Sequence, residues 1–147
     1  MTKRPPSRSA VQASQGVRAV TGRLRRRILD AADPEDISFA QASVLARLSG
    51  NDGLTVSDLA AAEGVRHQSM SAIVTPLAGL GLVQRRPDPT DGRRQLIVLT
   101  AAGRRRVEEG RRARGEWLAG QLQDKCTEAE RQTVIAAMAI LERLIHD

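Results

Sequence analysis

Apolar residues recur at helical spacing through most of this chain, and only one stretch changes to the short runs expected of strands. Val17, Val20, Leu24 and Ile28 mark a long first helix from about Val11 to Ala32, which Asp33-Pro34 ends. Phe39, Ala42, Leu45 and Leu48 stripe a second helix. Ser38 opens it with Gln41 three positions on, the pair that makes a capping box, and Gly50 closes it. Thr55 and Asp58 repeat the device for a short helix that runs through Leu59 and Ala60 to Gly64. After a tight link, Val65-Arg66, a fourth helix from about His67 to Leu80 carries Met70, Ile73, Val74, Leu77 and Leu80 on one face. Gln68, Ser71, Ala72 and Thr75 lie on its other face. Thr100 is placed to cap a long, strongly charged helix that continues past Val107 to Trp117, Leu118 and Leu122. Thr127 and Glu130 form a third capping box, ahead of a last helix striped by Val134, Ile135, Met138, Leu141, Leu144 and Ile145.

The strand-like stretch is LVQRRPDPTDGRRQLIVLT, residues 82–100. Leu82 to Arg86 and Gln95 to Leu99 flank a turn built from Pro87, Asp88, Pro89, Thr90, Asp91 and Gly92, so the segment predicts a β-hairpin. Arg85 and Arg86 on one side of the turn and Arg93 and Arg94 on the other crowd a loop that holds only two acids. Such a tip suits phosphates or a minor groove. A solvated hairpin whose charges keep its edges from aggregating has the same composition. The two helices ahead of it, joined by a short glycine-containing turn and ending in a helix with small polar residues near its start, match a helix-turn-helix. A plain helical hairpin could show that pattern too, but together with an arginine-tipped wing it points to DNA. The predicted fold class is mainly α with a small β-hairpin wing. It is a winged helix-turn-helix at 36–100, with dimerisation helices at 10–35 and 101–147 and a flexible basic arm at 1–9.

Charge supports that picture. The net charge is +6, and no acid precedes Asp30, whereas Lys3, Arg4, Arg8, Arg18, Arg23, Arg25, Arg26 and Arg27 do. A polyanionic partner is expected. Phe39 and Trp117 are the aromatic residues, with no tyrosine, so there is little material for base stacking and single-stranded RNA is disfavoured. No apolar run reaches the roughly 18 residues of a membrane span, and a lone cysteine, Cys126, agrees with a reducing compartment, so a cytoplasmic protein is expected. His67 and His146 with that one cysteine make no spaced ligand set, and Gly79-Leu80-Gly81 follows a helix and lacks the third glycine of a dinucleotide loop. No metal, no cofactor and no enzymatic activity are expected. The broad apolar faces of the first and last helices exceed what one small domain can cover, and suggest a second subunit.

The segment Asp91-x-Arg93-x-x-x-Ile97-x-Leu99-Thr100-x-x-Gly103 resembles the wing signature of the multiple-antibiotic-resistance regulator (MarR) family, D-x-R followed by an aliphatic residue, L-T and glycine. Leu59-Ala60, the region of Ser69, Leu77 and Gly81-Leu82-Val83 also fall where that family places its helix-turn-helix and the glycine leading into the wing. The resemblance covers roughly residues 15–146, with the motif-level match between about 55 and 103. It implies a homodimeric transcription regulator, commonly a repressor that leaves DNA when a small apolar or phenolic effector binds. Phe39 and Trp117 are the residues expected near such an effector.

Two departures bear on the site. Pro76 stands inside the recognition helix, where a kink or early loss of α geometry is expected, so base contacts are placed no further than Ala72. Cys126 lies before the last helix, away from the N-terminal position of the reactive thiol in oxidant-sensing relatives. The residues expected at DNA are Arg66, His67, Gln68, Ser69 and Ser71 from the helix and Arg85, Arg86, Asp91, Arg93 and Arg94 from the wing. Gln68 would read adenine N6/N7. Arg93 would enter the minor groove, oriented by a charge-assisted hydrogen bond to Asp91. The other reading of the same basic surface is a nonspecific architectural nucleic-acid-binding protein.

Overall fold

The computed structural model describes residues 4–32 and 37–146. Asp33 and Pro34, the expected stop of the first helix, lie outside them, as do the first three residues of the arm. The order is α1 (Arg8–Ala32), α2 (Phe39–Ser49), α3 (Val56–Glu63), α4 (His67–Gly79), β1 (Val83–Pro87), β2 (Gln95–Leu99), α5 (Ala101–Lys125) and α6 (Glu128–Glu142). Two compact units share these elements, one made of Met1–Ala31 and Ala113–Asp147 and the other of Ala32–Arg112.

In the second unit both expected capping boxes form. Ser38 Oγ accepts the Gln41 N–H at 3.2 Å while Gln41 Oε1 accepts the Ser38 N–H at 2.8 Å. Thr55 and Asp58 exchange the same two bonds, each at 3.0 Å. Such a cap contributes about 1 kcal/mol by satisfying amides that the first helical turn leaves unbonded. Val44, Leu45 and Leu48 of α2, Leu59 of α3 and Met70, Val74 and Leu77 of α4 are almost wholly buried, and they pack with Val83, Ile97 and Leu99 of the hairpin. Each contributes about 1.5–3 kcal/mol of transfer free energy on burial. Val107 joins the same core, so the first turns of α5 belong to this unit.

The hairpin pairs Val83 with Leu99 through Pro87 with Gln95, antiparallel. It begins one residue later than Leu82. Gly81 adopts φ 72°, its N–H donates to the Ala78 carbonyl at 3.0 Å, and the Leu82 N–H donates to the Leu77 carbonyl at 3.0 Å. These two bonds are a Schellman closure of α4, and they take the Leu82 amide away from the ladder. Leu54 adds an isolated bridge to Ile97, with N–H to O distances of 3.2 and 2.7 Å in the two directions. A single bridging residue has no periodicity, and hydrophobic patterning does not reveal it.

Pro76 does not end the recognition helix, which keeps α geometry to Gly79, and the Leu80 N–H donates to the Pro76 carbonyl at 3.0 Å. The missing amide deprives the Ala72 carbonyl of its partner, but Ala72 and Pro76 both lie on the exposed side, where water can take the bond.

In the first unit Ser7 Oγ accepts the Ala10 N–H at 3.2 Å and α1 starts at Arg8, inside the stretch expected to be the arm. The Thr127–Glu130 capping box forms as expected. Val17, Val20 and Leu24 of α1 remain exposed, as do Ile135, Met138 and Ile140 of α6, which has no buried residue.

The tightest approach in the winged unit is at Gly103, where a Cβ would collide with the Leu82 carbonyl. Backbone cannot retreat there, because Leu82 is held by its bonds to Leu77 and to the Thr100 N–H. Gly103→Ala is expected to cost about 3 kcal/mol, the upper end of overpacking penalties, read as a lower urea midpoint. Gly115→Ala, on the same helix with nothing within 4 Å of its would-be Cβ, should leave stability unchanged or raise it by up to about 1 kcal/mol.

Candidate nucleic-acid interface

The turn between α3 and α4 is Gly64-Val65-Arg66. Gly64 adopts φ 68°, its N–H reaches the Ala61 carbonyl at 3.3 Å, and the Val65 N–H reaches Ala60 at 3.0 Å. Glycine relieves the Cβ clash that this left-handed conformation costs other residues. Arg66 is then the N-cap of α4 with an extended backbone, and its side chain makes no capping bond.

Burial divides α4 cleanly. Met70, Val74 and Leu77 point into the core, so Gln68, Ala72 and Thr75, spaced i, i+4 and i+7, form the outward stripe. Arg66, His67, Gln68 and Ser69 are all exposed. Ser71 is half-buried, one position from Met70 and on the flank of the stripe. Thr75, set aside on account of Pro76, returns to the outward face because the helix runs on through the proline. Its place at i+7 from Gln68 was the available signal.

The wing loop is built by its acids. Asp88 Oδ1 accepts the Thr90 N–H at 2.9 Å and the Thr90 hydroxyl at 2.8 Å. The Asp88 N–H donates to the Arg94 carbonyl at 2.9 Å, and the Arg94 N–H donates to the Asp91 carbonyl at 3.0 Å. Asp91 Oδ1 accepts the backbone N–H of Arg93 at 3.1 Å. Its carboxylate therefore shapes the turn through the main chain, in place of the guanidinium contact the motif suggests. Arg85, Arg86 and Arg93 are exposed, and among the described residues their guanidinium groups make no hydrogen bond or ion pair. Arg94 differs from these three. Its Nη2 lies 3.6 Å from Asp58 Oδ2 and its Nε 3.9 Å from Asp88 Oδ2.

Phe39 is on α2 in the winged unit, half exposed, and Trp117 is on α5 in the other unit, half-buried. Among the described residues no three His, Cys, Asp or Glu side chains cluster as metal ligands, and no helix is long and apolar enough to cross a membrane.

A helix-turn-helix with an outward polar stripe, followed by a hairpin whose tip presents unpaired arginines, defines a winged-helix DNA-binding protein. A sequence profile of the MarR family matches residues 35–94. An HTH-type transcriptional regulator of Mycobacterium tuberculosis is 38% identical over 100 residues, covering 68% of this chain and 70% of its own length. A relative in Mycobacterium leprae is 37% identical over the same span. Among solved structures, a transcriptional regulator of Pseudomonas aeruginosa superposes with a TM-score of 0.79 at 31% identity, over 97% of this chain and 99% of that one. The fold is also that of a Staphylococcus aureus MepR mutant bound to an oligodeoxyribonucleotide, with a TM-score of 0.66, 24% identity and coverage of 91% and 98%. The chain belongs to the MarR family and is a DNA-binding transcription regulator. Regulators of this family are generally not enzymes.

The two wing-proximal carboxyls carry a pH signature. The Thr55 N–H and hydroxyl, and to a smaller degree Arg94, hold Asp58 below its usual 3.8. The Thr90 N–H and hydroxyl, again with Arg94 in a smaller part, do the same for Asp88. A depressed carboxylate pKa stabilises the folded state above the unfolded value, and that contribution is lost as pH falls through the folded pKa. The stability gap between the native protein and Asp58→Ala should be flat above about pH 5 and shrink on acidification below 3.8. Chemical denaturation at stepped pH reads it, and a gap that widened in acid would have the wrong sign.

Proposed function

We propose that the protein works in the cytoplasm as a homodimer, binds a pseudo-palindromic operator sequence-specifically, and represses until a small apolar or phenolic effector releases it. The observation that carries this reading is the set of exposed polar side chains that the recognition helix and the wing of the winged unit present together. Arg66, Gln68 and Ser69 on α4 and Arg85, Arg86 and Arg93 on the wing are exposed and, among the described residues, unpaired. These groups are held by water in the free protein and can exchange it for phosphate oxygens and base edges. Gln68 suits adenine N6/N7, with Thr75 two turns further along the stripe, and Arg66, Ser69 and the flanking Ser71 suit phosphates or nearby edges. Asp91 shapes the tip that presents Arg93. His67, at the first turn, faces the same partner. Two recognition helices related by a two-fold axis would meet successive major grooves about 34–36 Å apart. The uncovered apolar faces of α1 and α6 support the dimer, because a patch of that kind on a free monomer marks an interface. Light scattering should give twice the chain mass, and a chain ending at Cys126 should lose dimer and operator binding together.

A nonspecific architectural role draws on the same excess of positive charge. Selection from a random duplex library separates the two. Enrichment of one inverted repeat, bound at least about 10³-fold more tightly than unselected duplex, is expected for a specific regulator. Enrichment of no sequence would mean an architectural protein. On the selected duplex, Arg93→Ala should cost about 1–3 kcal/mol and lower the salt slope by about one. Arg111→Ala, whose guanidinium pairs with Glu108 at 3.0 Å on α5, should do much less. Effector release is read by Trp117 emission together with DNA anisotropy as small aromatic acids are added. If neither signal moved across a broad set of such acids, the regulator would be effector-independent.

A further inference from the structure

Four arginines crowd the wing, and one of them is engaged within the protein. From Pro89 to Gln95 every residue is exposed, so no buried apolar side chain sets the direction of the tip. What reaches back from it is Arg94. Asp58 belongs to α3, and its Oδ2 is already fixed by the Thr55 N–H at 3.0 Å. Asp88 stands at the other end of the loop, its side chain only 10% exposed, with Oδ1 fixed by Thr90. Two carboxylates, each held in place by a backbone amide whether or not an arginine is present, thus converge on one guanidinium. We propose that Arg94 is a positioning residue that, braced by Asp88 within the wing, ties the wing tip to α3 through Asp58, and so aims Arg93, without itself touching DNA. This rests on the reading of the wing as a DNA contact.

Ion pairs as exposed as these, with Arg94 and Asp58 each about half open to solvent, add little to global stability. Their effect is local order of the tip. The salt dependence of operator binding distinguishes a positioning residue from a phosphate contact, since each neutralised phosphate adds about one to the slope.

The test uses the full-length protein and the duplex selected from the random library. Arg94→Gln and Asp58→Asn should each weaken binding about three- to tenfold with unchanged salt slope. Arg94→Gln should also keep the thermal midpoint, whereas Asp58→Asn gives up the charge-assisted cap at Thr55 and melts somewhat lower. Asparagine keeps an oxygen to accept the Thr55 amide and removes only the charge. Because Asp58→Asn also removes a negative charge near the phosphates, simple electrostatics predicts tighter binding, the opposite sign. The double variant should be no weaker than the worse single one. Without DNA, both variants should speed amide hydrogen exchange at Thr90, Arg93 and Arg94. A slope reduced by about one in Arg94→Gln, or tighter binding by Asp58→Asn, would overturn the proposal. So would exchange at the tip left unchanged by both variants. If instead Arg93→Gln altered neither affinity nor slope, the wing would not be a DNA contact. The exchange measurement still judges the clamp in that case.

Discussion

Everything in the winged unit is referred to one short stretch of backbone at Gly81-Leu82, where four elements meet. The end of α4 closes on it through Leu77 and Ala78, and β1 leaves from it. Thr100 returns to it from β2, its N–H donating to the Leu82 carbonyl at 3.1 Å and its hydroxyl to the Gly81 carbonyl at 2.6 Å. The same hydroxyl accepts the Gly103 N–H at 3.0 Å and so caps α5. Gly103 then lets the helix press against Leu82 with no side chain between them. The leucine-threonine-x-x-glycine pattern is in this sense a packing requirement that fixes the angle between recognition helix and wing.

Around that junction, positive charge is divided by geometry. Arg47 pairs with Glu63 at 2.8 Å, and the same carboxylate accepts the Ser43 hydroxyl, which joins α2 to the end of α3. Arg131 donates to the Cys126 carbonyl at 2.6 Å and pairs with Glu128 at 3.0 Å, closing the end of α5 onto the start of α6. These cations satisfy backbone and acids of their own chain. The guanidinium groups of Arg85, Arg86 and Arg93 have no such partners among the described residues, and all three are exposed on the hairpin. Net charge alone does not separate the two kinds.

Helix existence, helix limits and the hairpin were legible because each depends on neighbours a few residues away. Ser38, Thr55 and Thr127 meet acceptors or donors three positions on, Gly64 and Gly81 take the backbone that ends a helix, and apolar spacing identifies the face that is buried. The wing motif was legible for the same reason, since a tight hairpin and the helix cap that follows it are consecutive in the chain. These determine a mainly α winged helix-turn-helix and place its polar stripe.

Tertiary structure decided what depends on contacts across the fold. Whether Pro76 breaks α4 depended on which side of the helix the freed Ala72 carbonyl faces, and that follows from how Met70, Val74 and Leu77 pack. Leu54 joins the sheet because β2 passes beside it, a pairing across more than forty residues that leaves no local trace. Arg94 and Arg93 are adjacent and chemically identical in the sequence. Only the approach of α3 to the wing sets one against Asp58 and leaves the other free, because an ion pair is a property of distance in space and not of order along the chain.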